Sequence, residues 1–164
     1  MRQLLIGGEI MACEYLYNDI QSVALYSPVI LRSSIPCTRG LIYHEDETGN
    51  FILRGNGSND CSKFAFYQVT FNGNIALPED AEDVVPIAIA LTVNGEPRYV
   101  SRAIFTPAEV GEYGNVTSTA IIKVPRCCCF SLGVEAVPAT TDPTVTPAPL
   151  INVQNANLTI TRTQ

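Results

Sequence analysis

Tryptophan is absent from this chain, histidine occurs once, and charged residues make up only 16% of the 164 residues. An ordinary globular domain carries about 25% charge. Each shortage excludes something. With His44 as the one imidazole, and with no Gly-x-Ser-x-Gly elbow, phosphate loop or metal-ligand spacing, no catalytic triad can be assembled. Ten Lys and Arg stand against sixteen Asp and Glu, a net charge of −6, and the basic residues are scattered. Nucleic-acid binding needs a basic stripe, so that function is excluded. No apolar run approaches the ~18 residues of a membrane-spanning helix. The opening Met1-Arg2-Gln3-Leu4-Leu5-Ile6-Gly7-Gly8-Glu9 has an apolar core of Leu4-Leu5-Ile6, ended by Gly7-Gly8 and Glu9. A secretory h-region needs about 7–15 residues, so no signal peptide is expected. Met11 would also serve as a start.

What is present is β-forming material. Hydrophobic residues make up 46% of the chain, and a chain of this length buries roughly 70% of its unfolded surface as one domain. A surface so poor in charge must be covered by Asn, Thr, Ser and Gln, or by another subunit. The stretch 64–107 organises the rest: aromatic and β-branched runs at 64–77 and 84–93, without a helical apolar stripe. Asn94-Gly95 is the strongest turn signal, since both residues tolerate positive φ. It predicts a hairpin of 87–93 with 98–105. Further strands are expected at 22–31, with Pro28 at an edge or bulge, at 115–124, 126–137 and 150–163. A second hairpin pairs 40–44 with 50–54. A short helical turn is expected near Pro107-Ala108-Glu109-Val110, and an extended loop over the proline- and threonine-rich 138–149. Residues 1–20 lack strand alternation and read as an N-terminal arm outside a domain at 21–164. The pattern is an all-β antiparallel sandwich or jelly roll of about nine strands.

Six cysteines form the oddest feature: Cys13, Cys37 and Cys61 in the first half, and the run Cys127-Cys128-Cys129 in the second. In a regular strand Cys127 and Cys129 would face one side about 6.5 Å apart and could not bridge each other. At least one of the three is expected to bond an N-terminal cysteine, with the connectivity open. Buried free thiols are the alternative. Zinc is disfavoured, because no Cys-x2-Cys pair exists. The acidic clusters His44-Glu45-Asp46-Glu47 and 78–83 read as solvated loops sooner than cation sites. Asn56, Asn115 and Asn157 match glycosylation acceptors. No cofactor is expected.

The segments Leu91-Thr92-Val93-Asn94-Gly95-Glu96-Pro97, 115–124 and Asn157-Leu158-Thr159-Ile160-Thr161-Arg162 resemble the C-terminal head domain of bacterial collagen-like spore-surface glycoproteins and related phage-encoded proteins. More broadly they resemble TNF-like and complement-head jelly rolls. The resemblance covers residue 64 to the C-terminus, and the chain carries no Gly-X-Y stalk. It implies a TNF-like jelly roll of about ten strands forming a compact homotrimer, with the first and last strands in the sheet that lines the trimer axis. Phe64, Phe66, Tyr67, Val69 and Phe71 are then the candidate interface residues, with the parity open. The function expected is a non-enzymatic structural protein on the outside of a phage virion, as head decoration or fibre. A spore-surface protein, or a trimeric head that binds a receptor or glycan, is the alternative. Partners would be other copies of the chain and, through the arm, other virion or surface-layer proteins. Nucleic acid and membrane are not expected partners. Release by lysis, as for virus particles and spores, would reconcile oxidised cysteines with the lack of a signal peptide.

Overall fold

The computed structural model describes residues 11–37, 40–57 and 63–163. They form two antiparallel sheets packed face to face. One runs β2 (Arg32–Ile35), β1 (Met11–Ala24), β11 (Leu150–Thr163), β5 (Phe64–Ala76), β9 (Gly114–Pro125). The other runs β3 (Ile42–His44), β4 (Phe51–Arg54), β10 (Cys129–Pro138), β6 (Ile87–Val93), β7 (Glu96–Pro97), with β8 (Ala103–Phe105) also pairing with β6.

Strict alternation builds the first sheet. In β5, Ala65, Tyr67, Val69 and Phe71 are buried, while Phe64, Phe66 and Gln68 are exposed. The inward row meets Phe51, Leu53, Leu91 and Leu132 from the second sheet in one continuous core. β6 is buried on both faces. Ile87, Ile89 and Leu91 join that core, and Ala88 and Ala90 form a smaller cluster with Val137 and Ala139.

The Asn94-Gly95 turn has the geometry its residues favour, with φ of 53° and 79°. The Asn94 side chain also accepts a hydrogen bond from the Ser131 amide at 3.0 Å, tying the turn to β10. The returning strand is broken. Thr92 and Val93 pair with β7, a 3-10 turn intervenes at Tyr99–Ser101, and β8 resumes opposite Ile87, Ala88 and Ile89. The helical turn expected at 107–110 is not formed. There the Glu112 carboxylate accepts from the amides of Ala108 at 2.5 Å and Glu109 at 3.4 Å, which holds a non-helical loop.

The expected arm at 1–20 is corrected. Its second half belongs to β1, which pairs with β11 from Met11 opposite Arg162 to Ala24 opposite Leu150; residues 1–10 lie outside the described residues. The register shifts between Tyr17 and Ile20, which breaks the two-residue period and hides the strand in the sequence. β11 carries a matching shift between Gln154 and Asn157 against β5, with Asn155 at a φ of 52°. Most of the strand expected at 22–31 is instead an irregular crossing toward the second sheet, through isolated bridges at Leu25, Pro28 and Leu31.

Cys13 and Cys37 form a disulfide, with their Cα atoms 5.4 Å apart and a sequence separation of 24. Closing a loop of that length stabilises by about 3 kcal/mol in the chain-entropy model. Cys37→Ser should therefore lower the unfolding free energy by about that amount in a urea titration. A midpoint equal to wild type would show that the bond contributes nothing.

Tyr67 ties the sheets together. Its hydroxyl donates to the Arg54 carbonyl at 2.5 Å, with the Leu41 carbonyl at 3.3 Å. Burial pushes its phenol above the usual 10.0, against the pull of Arg162 and of the Arg54 hydrogen bond. Burial raises Tyr15 as well. Both neutral phenols are favoured in the folded chain, so their contribution is complete below pH 10 and is lost as pH rises beyond it. The urea midpoint should therefore fall above pH 10, and less steeply in Tyr67→Phe. Equal alkaline slopes would remove Tyr67 from this role.

Candidate functional site

The strand parity left open by the sequence is settled by burial. Tyr67, Val69 and Phe71 point inward and are fully buried within one chain. They are therefore corrected as interface candidates, because a side chain filling its own core cannot reach a second copy. Phe64 and Phe66 point outward, at 36% and 39% exposure.

The outer face they share crosses four long strands in register. Its rows are Ala12-Thr161-Gln68-Ile121, Glu14-Thr159-Thr70-Thr119, Leu16-Asn157-Asn72-Thr117 and Ile20-Gln154-Asn74-Asn115. Only Glu14 in these rows carries a charge. The polar groups bond sideways to one another. The hydroxyls of Thr70 and Thr119 meet at 3.0 Å, and the Asn72 amide donates to Thr117 at 2.7 Å and to Asn115 at 3.1 Å. The Asn115 amide in turn donates to Asn74 at 3.0 Å. Polar groups already paired within a surface can leave water at low cost, whereas unpaired ones cannot. One end of the face carries apolar groups: Phe64 and Phe66 project there, and Ile121, 67% exposed, lies one row on from Phe66. Lys123 caps this end, its ammonium 3.8 Å from the Phe64 ring centroid. Beyond it, β9 is a long edge strand whose outward side chains include only one charge, Lys123. An edge of this kind invites pairing or cover by another chain. Ile121 and the Thr/Asn ladder were not singled out from sequence, although the Thr/Ser alternation at 115–124 was visible there.

The cysteine expectations need correction. Cys13 and Cys37 bond each other, so neither is available to the later run; Cys61 lies outside the described residues. Cys127, Cys128 and Cys129 are free and exposed. They do not share a regular strand. Cys127 has a φ of 63° and sits with Cys128 in the β9–β10 turn, and β10 starts at Cys129.

The first acidic cluster, at 44–47, is engaged structurally. Glu47 pairs with Arg32 at 3.0 Å, Asp46 accepts from the Ser33 amide, and His44 stacks on Phe51 with centroids 4.1 Å apart. Among the described residues no group of three His, Cys, Asp or Glu side chains is placed to hold a metal ion. Asp80, Glu82 and Asp83 rim a cleft of about 380 Å³ floored by Leu77, Val85 and Leu150.

No family model and no curated protein matches the chain. Solved structures do. The globular domain of zebrafish complement 1qA superposes with a TM-score of 0.57 at 11% identity, covering 94% of this chain and 97% of that one. The Eiger TNF of S. frugiperda gives 0.60 at 11% identity over 96% and 94%. Murine APRIL gives 0.58 at 9% identity over 94% and 99%. With two antiparallel sheets in this strand order, the chain has the jelly-roll fold of TNF and complement C1q head domains.

Proposed function

We propose that the chain is a non-enzymatic head module that assembles as a homotrimer through the outer face of its five-stranded sheet. The observation that carries this is the face itself: four strands in register, Glu14 the only charge in the shared rows, its Asn and Thr groups bonded laterally, and Phe66 and Ile121 exposed at one end. A surface with few charges, Glu14 and Lys123, and with lateral Asn and Thr bonds suits burial against copies of itself, the more so beside a long edge strand. The first and last described strands, β1 and β11, lie in this sheet, in keeping with the arrangement that the sequence resemblance implies.

The same reading places the module on the outside of a phage virion, as head decoration or fibre, and rests there on the sequence resemblance. A spore surface is the alternative particle. A receptor- or glycan-binding head is favoured by one feature: Tyr26 and Tyr99, both exposed, border an open depression with Arg102, Thr140 and Asp142. Such a head would use the same trimer. Light scattering on the native chain tests the assembly. Mass spectrometry of particles purified from a lysate tests the placement: recovery of the chain in stoichiometric amount supports a particle component, and its absence supports a free binding head.

A further inference from the structure

We propose that the Cys127-Cys128-Cys129 turn is a covalent cross-linking site between copies of this chain. The inference rests on the self-assembly reading above. All three thiols are exposed and unpaired. The same chain carries the Cys13–Cys37 disulfide, and a bond of that kind persists in oxidising surroundings. Exposed thiols in such surroundings do not stay reduced. Adjacent cysteines are poorly placed to pair with each other, because neighbouring Cα atoms stand about 3.8 Å apart, below the roughly 4.4–6.8 Å span of a disulfide. Pairing Cys127 with Cys129 would still leave Cys128 for a second chain.

The turn is held firmly. The Cys127 amide donates to Asn56 at 2.8 Å, the Gly55 amide donates to the Cys128 carbonyl at 2.8 Å, and the Cys128 amide donates to Pro125 at 3.1 Å. Gly55 packs so closely on the Pro125 carbonyl that a Cβ would not fit. The position is also suitable. Pro125, two residues before Cys127, pairs with Phe64 at the apolar end of the outer face. Self-association through that face brings the turns of all copies to one end of the assembly. Tethering there gives an effective thiol concentration on the order of millimolar.

The chemistry is thiol–disulfide exchange with a low-molecular-weight disulfide such as oxidised glutathione. A thiolate of one copy attacks the glutathione disulfide, forming a mixed disulfide and releasing one glutathione thiolate. A thiolate of the second copy attacks the protein sulfur of that mixed disulfide and releases the second glutathione. Two protein thiols are oxidised, the reagent is reduced to two glutathione molecules, and these take up the two protons.

The test is to incubate the full chain with oxidised glutathione and run it denatured without reductant. Covalent dimer and trimer bands, none larger, should form and disappear with dithiothreitol. They should fall at least tenfold in the Cys127→Ser, Cys128→Ser, Cys129→Ser triple variant and persist in Cys61→Ser. Monomer alone would overturn the proposal, whether peptide mapping then finds an intrachain bridge to Cys61 or glutathione adducts. So would bands that extend past trimer and grow with protein concentration, which mark random collision. The native mass of the triple variant, measured without reductant so that the Cys13–Cys37 bond stays intact, separates the two claims. A trimeric variant whose parent never cross-links defeats this inference and leaves the assembly standing, whereas a monomeric variant defeats the assembly.

Discussion

Phe66→Asp should convert the assembled protein into single chains of 17.8 kDa at micromolar concentration. Phe66 is on the outer face, 39% exposed in one chain, one row from Ile121 and opposite Lys123. If that face closes on copies of itself, the substitution takes a carboxylate out of water at an end where Lys123, directly opposite on β9, is the facing cation. Desolvating such a pair can cost more than its attraction returns, the apolar area that Phe66 would bury is lost as well, and each copy in the assembly suffers both. The free chain should fold normally, because the new carboxylate is solvated there. The matched control is Tyr43→Asp, on β3 of the opposite sheet and 56% exposed; it should leave the mass unchanged. An assembled Phe66→Asp protein would remove this end of the face from the interface.

Phe71→Ala should act on the chain itself. Phe71 sits five residues from Phe66 on the same strand, so it has the opposite parity and is fully buried between the sheets. Truncating a core phenylalanine costs about 3–5 kcal/mol, combining lost transfer energy with the cavity left behind. That is a large part of the roughly 5–15 kcal/mol that holds a domain together. A denaturant titration of the monomeric Phe66→Asp background with and without Phe71→Ala isolates the effect from assembly. A shift below about 1 kcal/mol would contradict the inward placement.

These two neighbours show what was legible in the sequence. Alternation along 64–76 marks a half-buried strand, but alternation has no sign: either parity satisfies it until the opposing sheet is known. Asn94-Gly95 was readable because its turn is determined by local backbone preference. β11 was readable because Ile151, Val153, Leu158 and Ile160 are large and regularly spaced on both sides of its irregularity. β1 was not. Its shift between Tyr17 and Ile20 interrupts the period, and only pairing with β11 makes that stretch a strand. The cysteine run failed for a related reason. Read as a strand it has two faces, but Cys127 adopts a positive φ in a turn fixed by the amides of Gly55, Cys127 and Cys128, and no local pattern announces that turn. The candidate face was half legible. Its low charge was visible in composition, but its four-strand registry joins residues more than a hundred positions apart.

The central claim is that the outer face of the five-stranded sheet is buried between copies of the chain. Sedimentation equilibrium of the Cys127→Ser, Cys128→Ser, Cys129→Ser variant without reductant measures this directly, with the cross-linking thiols removed and the Cys13–Cys37 bond intact. The expected mass is three times 17.8 kDa, unchanged over a tenfold range around micromolar concentration. A mass of 17.8 kDa throughout that range would contradict it.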